Sequence, residues 1–179
     1  MQEKTLTLLN ESDTQELAKQ LALGIQQLFQ SGQRDLRIAL LGDLGAGKTT
    51  FTRYLLKALG HTGKVKSPTY ALCEPYEIRI NQYLIGLHHF DLYRMKYPTE
   101  WVDAGFKDTL SSHGIAIVEW PEKAEGTLPP FDLEITLTAN SDDSRNVHLR
   151  ALNSQVASDR KSTRLNSSHI PLSRMPSSA

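Results

Sequence analysis

One eight-residue segment constrains the fold of this chain more than any other. Residues 42–49 read Gly-Asp-Leu-Gly-Ala-Gly-Lys-Thr and match the pattern G-x-x-x-x-G-K-[ST] at every fixed position. The glycines let the backbone curl so that its N–H groups point at phosphate oxygens, and Lys48 adds a positive charge. An apolar run at 37–41 precedes the segment, and helical spacing follows it. The segment therefore predicts a phosphate-binding loop between a buried strand and a helix.

The chemistry of this loop predicts ATP and Mg²⁺ as its ligands. The Lys48 ammonium is suited to the β- and γ-phosphates, and the Thr49 hydroxyl is a hard oxygen ligand for Mg²⁺. No Asn-Lys-x-Asp segment for reading guanine is present, so ATP is favoured over GTP. The residues expected to bind the nucleotide here are Leu44, Gly45, Ala46, Gly47, Lys48, Thr49 and Thr50.

A site of this kind also needs a carboxylate at the end of a neighbouring strand, to hold the metal or to orient water. Glu119 follows the strongly apolar run 115–118, and Asp91 follows the run that includes His88 and His89. Strand ends in an open parallel sheet converge on one crevice, so both carboxylates are candidates. Spacing favours Glu119 over Asp91. The two histidines are a poor metal pair, because neighbours on a strand face opposite sides, and each is expected to be packed or solvated.

The remaining patterns predict an α/β fold, a P-loop NTPase-like three-layer sandwich whose mostly parallel sheet carries added antiparallel strands. Apolar residues at 17, 21, 25 and 28 predict a helix, and Ser12 and Gln15 have the spacing of a capping box at its start. A helical or irregular section is expected at 99–112. Strands are predicted at 6–9, 37–41, 70–74, 82–87, 115–118, 133–138 and 147–151, with a hairpin across 79–81.

Composition divides the chain into a domain at 1–158 and a tail at 159–179. The tail has two prolines, many serines and no apolar period, so we expect it to be disordered. It also resembles translated sequencing-adapter DNA, and no function is assigned to it. Without it, 16 basic and 19 acidic residues remain. That net charge of −3 argues against autonomous nucleic-acid binding, which needs a basic face.

Two absences in the sequence bear on the compartment. No apolar run approaches the length that spans a bilayer, and the first residues lack the apolar stretch of a signal peptide. Cys73 is the single cysteine, so no internal disulfide can form, and it is expected to be a core residue. We expect a cytoplasmic protein that does not associate with membranes.

Four blocks of the sequence, taken together, resemble the TsaE (YjeE) family. They are Gly-Asp-Leu-Gly-Ala-Gly-Lys-Thr-Thr-Phe at 42–51, Val-Lys-Ser-Pro-Thr-Tyr at 65–70, His-Phe-Asp-Leu-Tyr-Arg at 89–94 and Val-Glu-Trp-Pro at 118–121. They occur in the order typical of the family, and the resemblance covers roughly residues 6–151. As a set, these blocks are far more specific than the phosphate loop alone.

The resemblance implies a small bacterial ATPase that acts in making threonylcarbamoyladenosine beside the anticodon of tRNA. Its partner is implied to be a complex of TsaB and TsaD, in which TsaD carries the transfer chemistry and the ATP cycle resets the complex. Contact with tRNA is then only indirect.

The resemblance also implies roles for individual residues. Lys48 and Thr49 take the loop roles, Glu119 is the Mg²⁺ ligand with Thr49, and Asp91 is catalytic or linked to the metal. Thr69 resembles a residue that senses the γ-phosphate, and its position in the first loop after the phosphate-loop helix agrees with that role. Trp120 neighbours the site. Glu11 and Arg145 are implied to lie near the nucleotide.

Two alternative functions share the same loop. A small-molecule kinase would be expected to carry an arginine-rich lid, whereas Arg79 and Arg94 are scattered here. A nucleotide switch that binds partners and hardly hydrolyses ATP is close to the function that the resemblance implies, and it stays as the second alternative.

Overall fold

The computed structural model describes residues 2–68, 71–153 and 156. Four α-helices are present in these ranges: α1 (Glu11–Gln30), α2 (Lys48–Ala58), α3 (Glu100–Asp103) and α4 (Lys107–Ser111). The strands are β1 (Gln2–Leu8), β2 (Asp35–Leu41), β3 (Cys73–Ile80), β4 (Tyr83–Asp91), β5 (Gly114–Glu119), β6 (Leu133–Ala139) and β7 (Arg145–Ala151).

The strands described form one sheet in the order β1-β7-β6-β2-β5-β4-β3. The four strands β6, β2, β5 and β4 are parallel to one another. Antiparallel strands extend the sheet on both sides. On one side β7 pairs with β6 and β1 pairs with β7, and on the other side β3 pairs with β4. The α/β fold class is therefore confirmed, including the antiparallel additions.

Two apolar clusters, one on each face of the sheet, create the three layers. On one face, α1 and α2 pack through Leu21, Ile25 and Leu55 against strand residues such as Ile38 and Ile117. The opposite face buries Phe90, Val118, Trp101 and Leu110, which brings α3 and α4 against β4 and β5. Each strand can serve both layers because successive side chains point to opposite faces.

The central strands end together at one edge of the sheet. β2 pairs with β5, and β5 pairs with β4, all in parallel. The phosphate-loop segment follows β2, while Glu119 and Asp91 end β5 and β4. Parallel pairing therefore brings the phosphate loop, Glu119 and Asp91 to the carboxyl end of the central strands. Ligands bind at this end of open parallel sheets.

Three local predictions need correction. The predicted capping box at Ser12 is wrong, since Asn10 is the N-cap of α1 and its side chain accepts a hydrogen bond from the Asp13 amide at 3.0 Å. The strand placed at 70–74 begins only at Cys73 and continues to Ile80. The hairpin turn consists of Asn81, which has φ 56°, and Gln82, whereas the prediction placed it across 79–81.

Other predictions lie partly outside the described residues. The structure describes nothing of 159–179 or of Thr69, so the disordered tail and the switch role stay predictions. Cys73 is buried, as expected for a core residue. Within 2–68, 71–153 and 156, no helix has both the length and the apolar character needed to cross a membrane.

Candidate functional site

The backbone of the phosphate loop depends on two of its glycines. Gly42 has φ 146° and Gly47 has φ 101°, values that residues with a Cβ rarely adopt. A Cβ on Gly42 would lie 2.5 Å from the Leu137 carbonyl oxygen, and one on Gly47 would lie 2.9 Å from Arg145 Nε. Packing and backbone conformation therefore both require glycine at these positions, and they hold the loop in a curled shape.

The Lys48 side chain folds back over the loop. Its Nζ donates to the Gly42 carbonyl and, at 2.9 Å, to the Asp43 carbonyl. The ammonium also lies 4.5 Å from the centroid of the Trp120 ring. Lys48 is buried, and these contacts satisfy its charge. Phosphate oxygens entering the loop would compete with the Gly42 and Asp43 carbonyls for this ammonium.

The two candidate carboxylates lie on neighbouring strands at the same level. Asp91 and Glu119 are register partners in the parallel pair β4–β5, so their Cα atoms are about 5 Å apart. Ile117, two residues before Glu119, packs on the α1–α2 face. The two-residue period of a strand puts Glu119 on that same face, toward α2 and the loop. The fold therefore brings both candidates together, and Glu119 is the more deeply buried of the two.

Glu119 is held by a histidine from the neighbouring strand. His89 Nε2 lies 2.5 Å from Glu119 Oε2, and both side chains are almost fully buried. The sequence predicted that His89 would be packed or solvated. It is packed, but its hydrogen bond to Glu119 was not foreseen. The sequence feature that could have indicated this hydrogen bond is the position of His89 two residues before Asp91, because residues two apart on a strand point to the same face.

Asp91 is half-buried, and its environment opposes ionisation. Burial raises the pKa of the Asp91 carboxyl above its ordinary value, and the nearby Glu119 charge raises it further. The Tyr93 amide, which donates to Oδ1 at 3.0 Å, and the Lys48 charge act in the opposite direction. A raised carboxyl pKa beside a crevice is typical of groups that handle protons or water.

The Thr49 hydroxyl lies beside the loop that follows α2. Ser67 Oγ is 3.5 Å from Thr49 Oγ1. The preceding residue, Lys66, is tied to β3, because the Tyr76 hydroxyl accepts from its amide at 3.0 Å and donates to its carbonyl at 3.3 Å. Neither Ser67 nor Tyr76 was singled out from the sequence, since their contact partners are distant along the chain.

Arg145 contacts the phosphate loop, and Glu11 contacts the helix that follows it. Arg145 Nε donates to the Ala46 carbonyl at 2.9 Å. Glu11 accepts a hydrogen bond from the hydroxyl of Tyr54, a residue whose Cα lies about 9 Å along the α2 axis from that of Lys48. The structure therefore places Arg145 against the loop and Glu11 against the second turn of α2.

The remaining loop residues differ in exposure. Leu44 is 65% exposed at the tip of the loop, while Ala46 is buried beneath it. Gly45, with φ 80°, lies beside Leu44 at the tip, and Thr50 lies in the first turn of α2. Exposed backbone near Leu44 is open to a ligand.

The oxygen donors fit Mg²⁺ bound together with a nucleotide. Among the described residues, no group of three or more His, Cys, Asp or Glu side chains could hold a metal alone. Mg²⁺ needs no such cage, because it usually takes one or two protein oxygens and completes its shell with water and phosphates. The Thr49 hydroxyl and the Glu119 carboxylate are donors of that kind, and the loop is open at Gly45, where nothing lies within 4 Å of an added Cβ.

A second concavity, of about 460 Å³, lies at the opposite end of the sheet. It is lined by the end of α1 and the β3–β4 hairpin, including Phe29, Ile80 and Leu84. None of the candidate nucleotide residues belongs to its lining, so the phosphate loop and this groove are separate features.

Comparison with models of protein families matches one family to most of this chain. The family model described as "Threonylcarbamoyl adenosine biosynthesis protein TsaE" matches residues 8–147. The chain belongs to the TsaE family. The matched span contains the phosphate loop, His89, Asp91, Glu119 and Arg145, and it confirms the resemblance found in the sequence.

Relatives and a solved structure support the TsaE assignment. A Haemophilus influenzae protein named tRNA threonylcarbamoyladenosine biosynthesis protein TsaE is 43% identical over 119 residues, covering 66% of this chain and 72% of the relative. A Bacillus subtilis protein of the same name is 37% identical, covering 64% and 69%. The crystal structure of Bacillus subtilis YdiB superposes with a TM-score of 0.69 at 27% identity, covering 91% of this chain and 95% of that one.

Proposed function

We propose that this protein binds ATP with Mg²⁺ at the phosphate loop and hydrolyses it in support of tRNA threonylcarbamoyladenosine synthesis in the cytoplasm. The observation that carries the proposal is the meeting of three strand ends. The glycine loop after β2, Glu119 at the end of β5 and Asp91 at the end of β4 converge at one end of the sheet. Family membership supplies the biological setting, since its relatives are named for this tRNA modification.

The loop residues have a binding role in this proposal. Backbone N–H groups of Leu44 to Thr50 and the positive end of α2 attract the phosphates. The Lys48 ammonium exchanges the Gly42 and Asp43 carbonyls for β- and γ-phosphate oxygens. Arg145 holds the loop through Ala46, and Glu11, which accepts from the Tyr54 hydroxyl on α2, is proposed to approach the nucleotide. Thr69 senses the γ-phosphate.

The carboxylates and Thr49 have the chemical role. Thr49 and Glu119 would hold Mg²⁺, which neutralises charge on the phosphates when it is bound. Asp91, or Glu119 in its place, orients a water for attack at the γ-phosphorus. The water oxygen forms the new P–O bond as the bond to ADP breaks, so the products are ADP and inorganic phosphate. No strong base is required, because positioning and charge stabilisation account for most phosphoryl-transfer catalysis.

A complex of the TsaB–TsaD type is the proposed partner, and tRNA is contacted only through it. Turnover by the isolated protein is expected to be slow, with the partners completing or reshaping the site. The excess of acidic residues in 1–158 agrees with a protein partner in preference to direct binding of a nucleic acid.

The test is ATP hydrolysis by the full chain, alone and with TsaB and TsaD. Lys48→Ala and Glu119→Ala serve as variants, and Lys57→Ala is the matched control because Lys57 is exposed on the same helix. A low rate that rises with the partners and is lost in both site variants supports the proposal. Hydrolysis that requires a small-molecule phosphate acceptor favours a kinase, whereas binding without turnover under any condition favours a passive switch.

A further inference from the structure

His89 is a buried polar side chain whose contact points directly into the candidate site. Its relative exposure is 0%, and its Nε2 lies 2.5 Å from Glu119 Oε2. Its other ring nitrogen, Nδ1, is buried and has no hydrogen-bond partner in the described part of the chain. The interaction with Glu119 is therefore the polar contact that accounts for a histidine at this position.

The direction of this hydrogen bond follows from the chemistry of the two groups. An ionised carboxylate can only accept, so the hydrogen must lie on His89 Nε2. The ring is consequently fixed as a donor to Glu119.

This contact uses one oxygen of the Glu119 carboxylate for the hydrogen bond to His89 and leaves the other oxygen for a ligand. Oε2 is held by His89, so rotation of the carboxylate about its last bond would break a buried hydrogen bond. Oε1 makes no hydrogen bond to His89 and remains for a ligand. A partner that orients a ligating side chain in this way commonly changes metal affinity when it is removed.

We propose that His89 is a positioning residue that fixes the Glu119 carboxylate to receive the Mg²⁺ of a bound nucleotide. The inference rests on the proposed nucleotide function and adds a named role within it. His89 acts through Glu119, because the ring contacts that carboxylate and is fully buried from solvent. The neighbouring His88 makes no corresponding contact among the described residues and does not share the role.

The experiment measures binding of a fluorescent N-methylanthraniloyl ADP to the full chain, first in EDTA and then during titration with Mg²⁺. His89→Leu removes the donor, while His89→Gln keeps an amide N–H at about the reach of Nε2. In EDTA, both variants are expected to bind the nucleotide within twofold of the unmodified protein. With Mg²⁺, His89→Leu should raise the half-saturating metal concentration about 10-fold or more, and His89→Gln should recover part of that loss.

A double-mutant cycle separates positioning from a general structural role. If His89 acts through Glu119, then His89→Leu should have little further effect on Mg²⁺ half-saturation once Glu119→Gln is present. Additive effects, or unchanged Mg²⁺ half-saturation in soluble and folded His89→Leu, overturn the inference. If His89→Leu does not fold, His89→Gln and His89→Asn give the same comparison, because Asn cannot place its amide at the Nε2 position.

The same data keep this inference distinct from the proposed function. Failure of the unmodified protein to bind the nucleotide at all would reject the nucleotide function itself. Tight, Mg²⁺-dependent binding that is indifferent to His89 would leave that function standing and reject only the positioning role.

Discussion

The Lys48 ammonium lies 4.5 Å from the centroid of the Trp120 ring. Trp120 follows Glu119 in a left-handed backbone conformation with φ 56°, uncommon for a bulky residue, and this turn brings its ring to the phosphate loop. Tyr93, from the chain after β4, packs against the Trp120 ring, with ring centroids 4.9 Å apart. The loop lysine is thus linked to the segments that follow both candidate carboxylates.

Nucleotide binding should therefore change the fluorescence of Trp120, because Lys48 moves when phosphates displace its carbonyl partners. ATP and ADP are expected to change the emission more than AMP does. Trp120→Phe should abolish the response. Trp101→Phe is the matched control, since Trp101 is buried on α3 and its Nε1 donates to the Thr127 hydroxyl at 2.8 Å. A response that survives Trp120→Phe and disappears with Trp101→Phe would contradict this assignment.

Lys48→Ala should weaken ATP binding by roughly tenfold to a hundredfold. Hydrogen bonds to a charged group contribute about 1.5–3 kcal/mol, which corresponds to that range of affinity. Lys57→Ala, on the exposed side of α2, should leave the dissociation constant unchanged. Isothermal titration calorimetry measures both variants, and equal losses would point to a change in α2 as a whole.

Asp91→Asn should raise stability near pH 7 while reducing ATP hydrolysis. Because burial raises the pKa of Asp91 in the folded state, ionised Asp91 costs stability at neutral pH. The advantage of the variant should shrink as the pH falls through the raised pKa and should vanish below the ordinary value of 3.8. Urea denaturation at several pH values measures the trend, and a variant less stable than the unmodified protein at pH 7 would contradict it.

Asp142→Asn is a control for which the expected change in stability at pH 7 has the opposite sign. Hydrogen bonds from Ser144 lower the pKa of the Asp142 carboxyl, so its stabilising contribution is present above pH 3.8 and is lost as the pH falls through the lowered pKa. Asp142→Asn should therefore decrease stability at pH 7 and should leave ATP hydrolysis unchanged.

Tyr76→Phe should loosen the loop after α2. The variant loses both hydrogen bonds to the Lys66 backbone, at a cost of about 0.5–1.5 kcal/mol each. Hydrogen exchange at the Lys66 amide should accelerate, and nucleotide binding should weaken through the Ser67–Thr49 contact. Tyr83→Phe, exposed on the same hairpin, should change neither measurement. Unaltered exchange at Lys66 in Tyr76→Phe would show that other contacts hold the loop.

Cys73 should resist alkylation in the folded protein. Burial raises the pKa of its thiol to about 12, with a further contribution from Glu74, so the thiolate is scarce at pH 8. Iodoacetamide labelling followed by mass spectrometry should be slow in buffer and fast in denaturant. Comparable rates in both conditions would mean that β3 opens readily at its edge.

The order of the elements could be predicted from the sequence because its signals are local. The glycines at 42–47, the helical spacing in α1 and the apolar run of β5 each depend on nearby residues. The start of α1 and the span of β3 were less accurate. Asn10 competed with Ser12 as a cap, and β3 mixes exposed polar residues with Pro75 at a sheet edge, where the apolar pattern is weak.

The sequence by itself determined the phosphate loop, the α/β layers and the two carboxylates that follow strands β4 and β5. Only the tertiary structure decided how these residues meet. Register between β4 and β5 sets Asp91 opposite Glu119 and brings His89 to the Glu119 carboxylate, while the turn at Trp120 carries its ring to Lys48. The physical reason is that a pattern along one strand fixes which face a side chain takes, whereas its partner across the sheet depends on the pairing of distant segments.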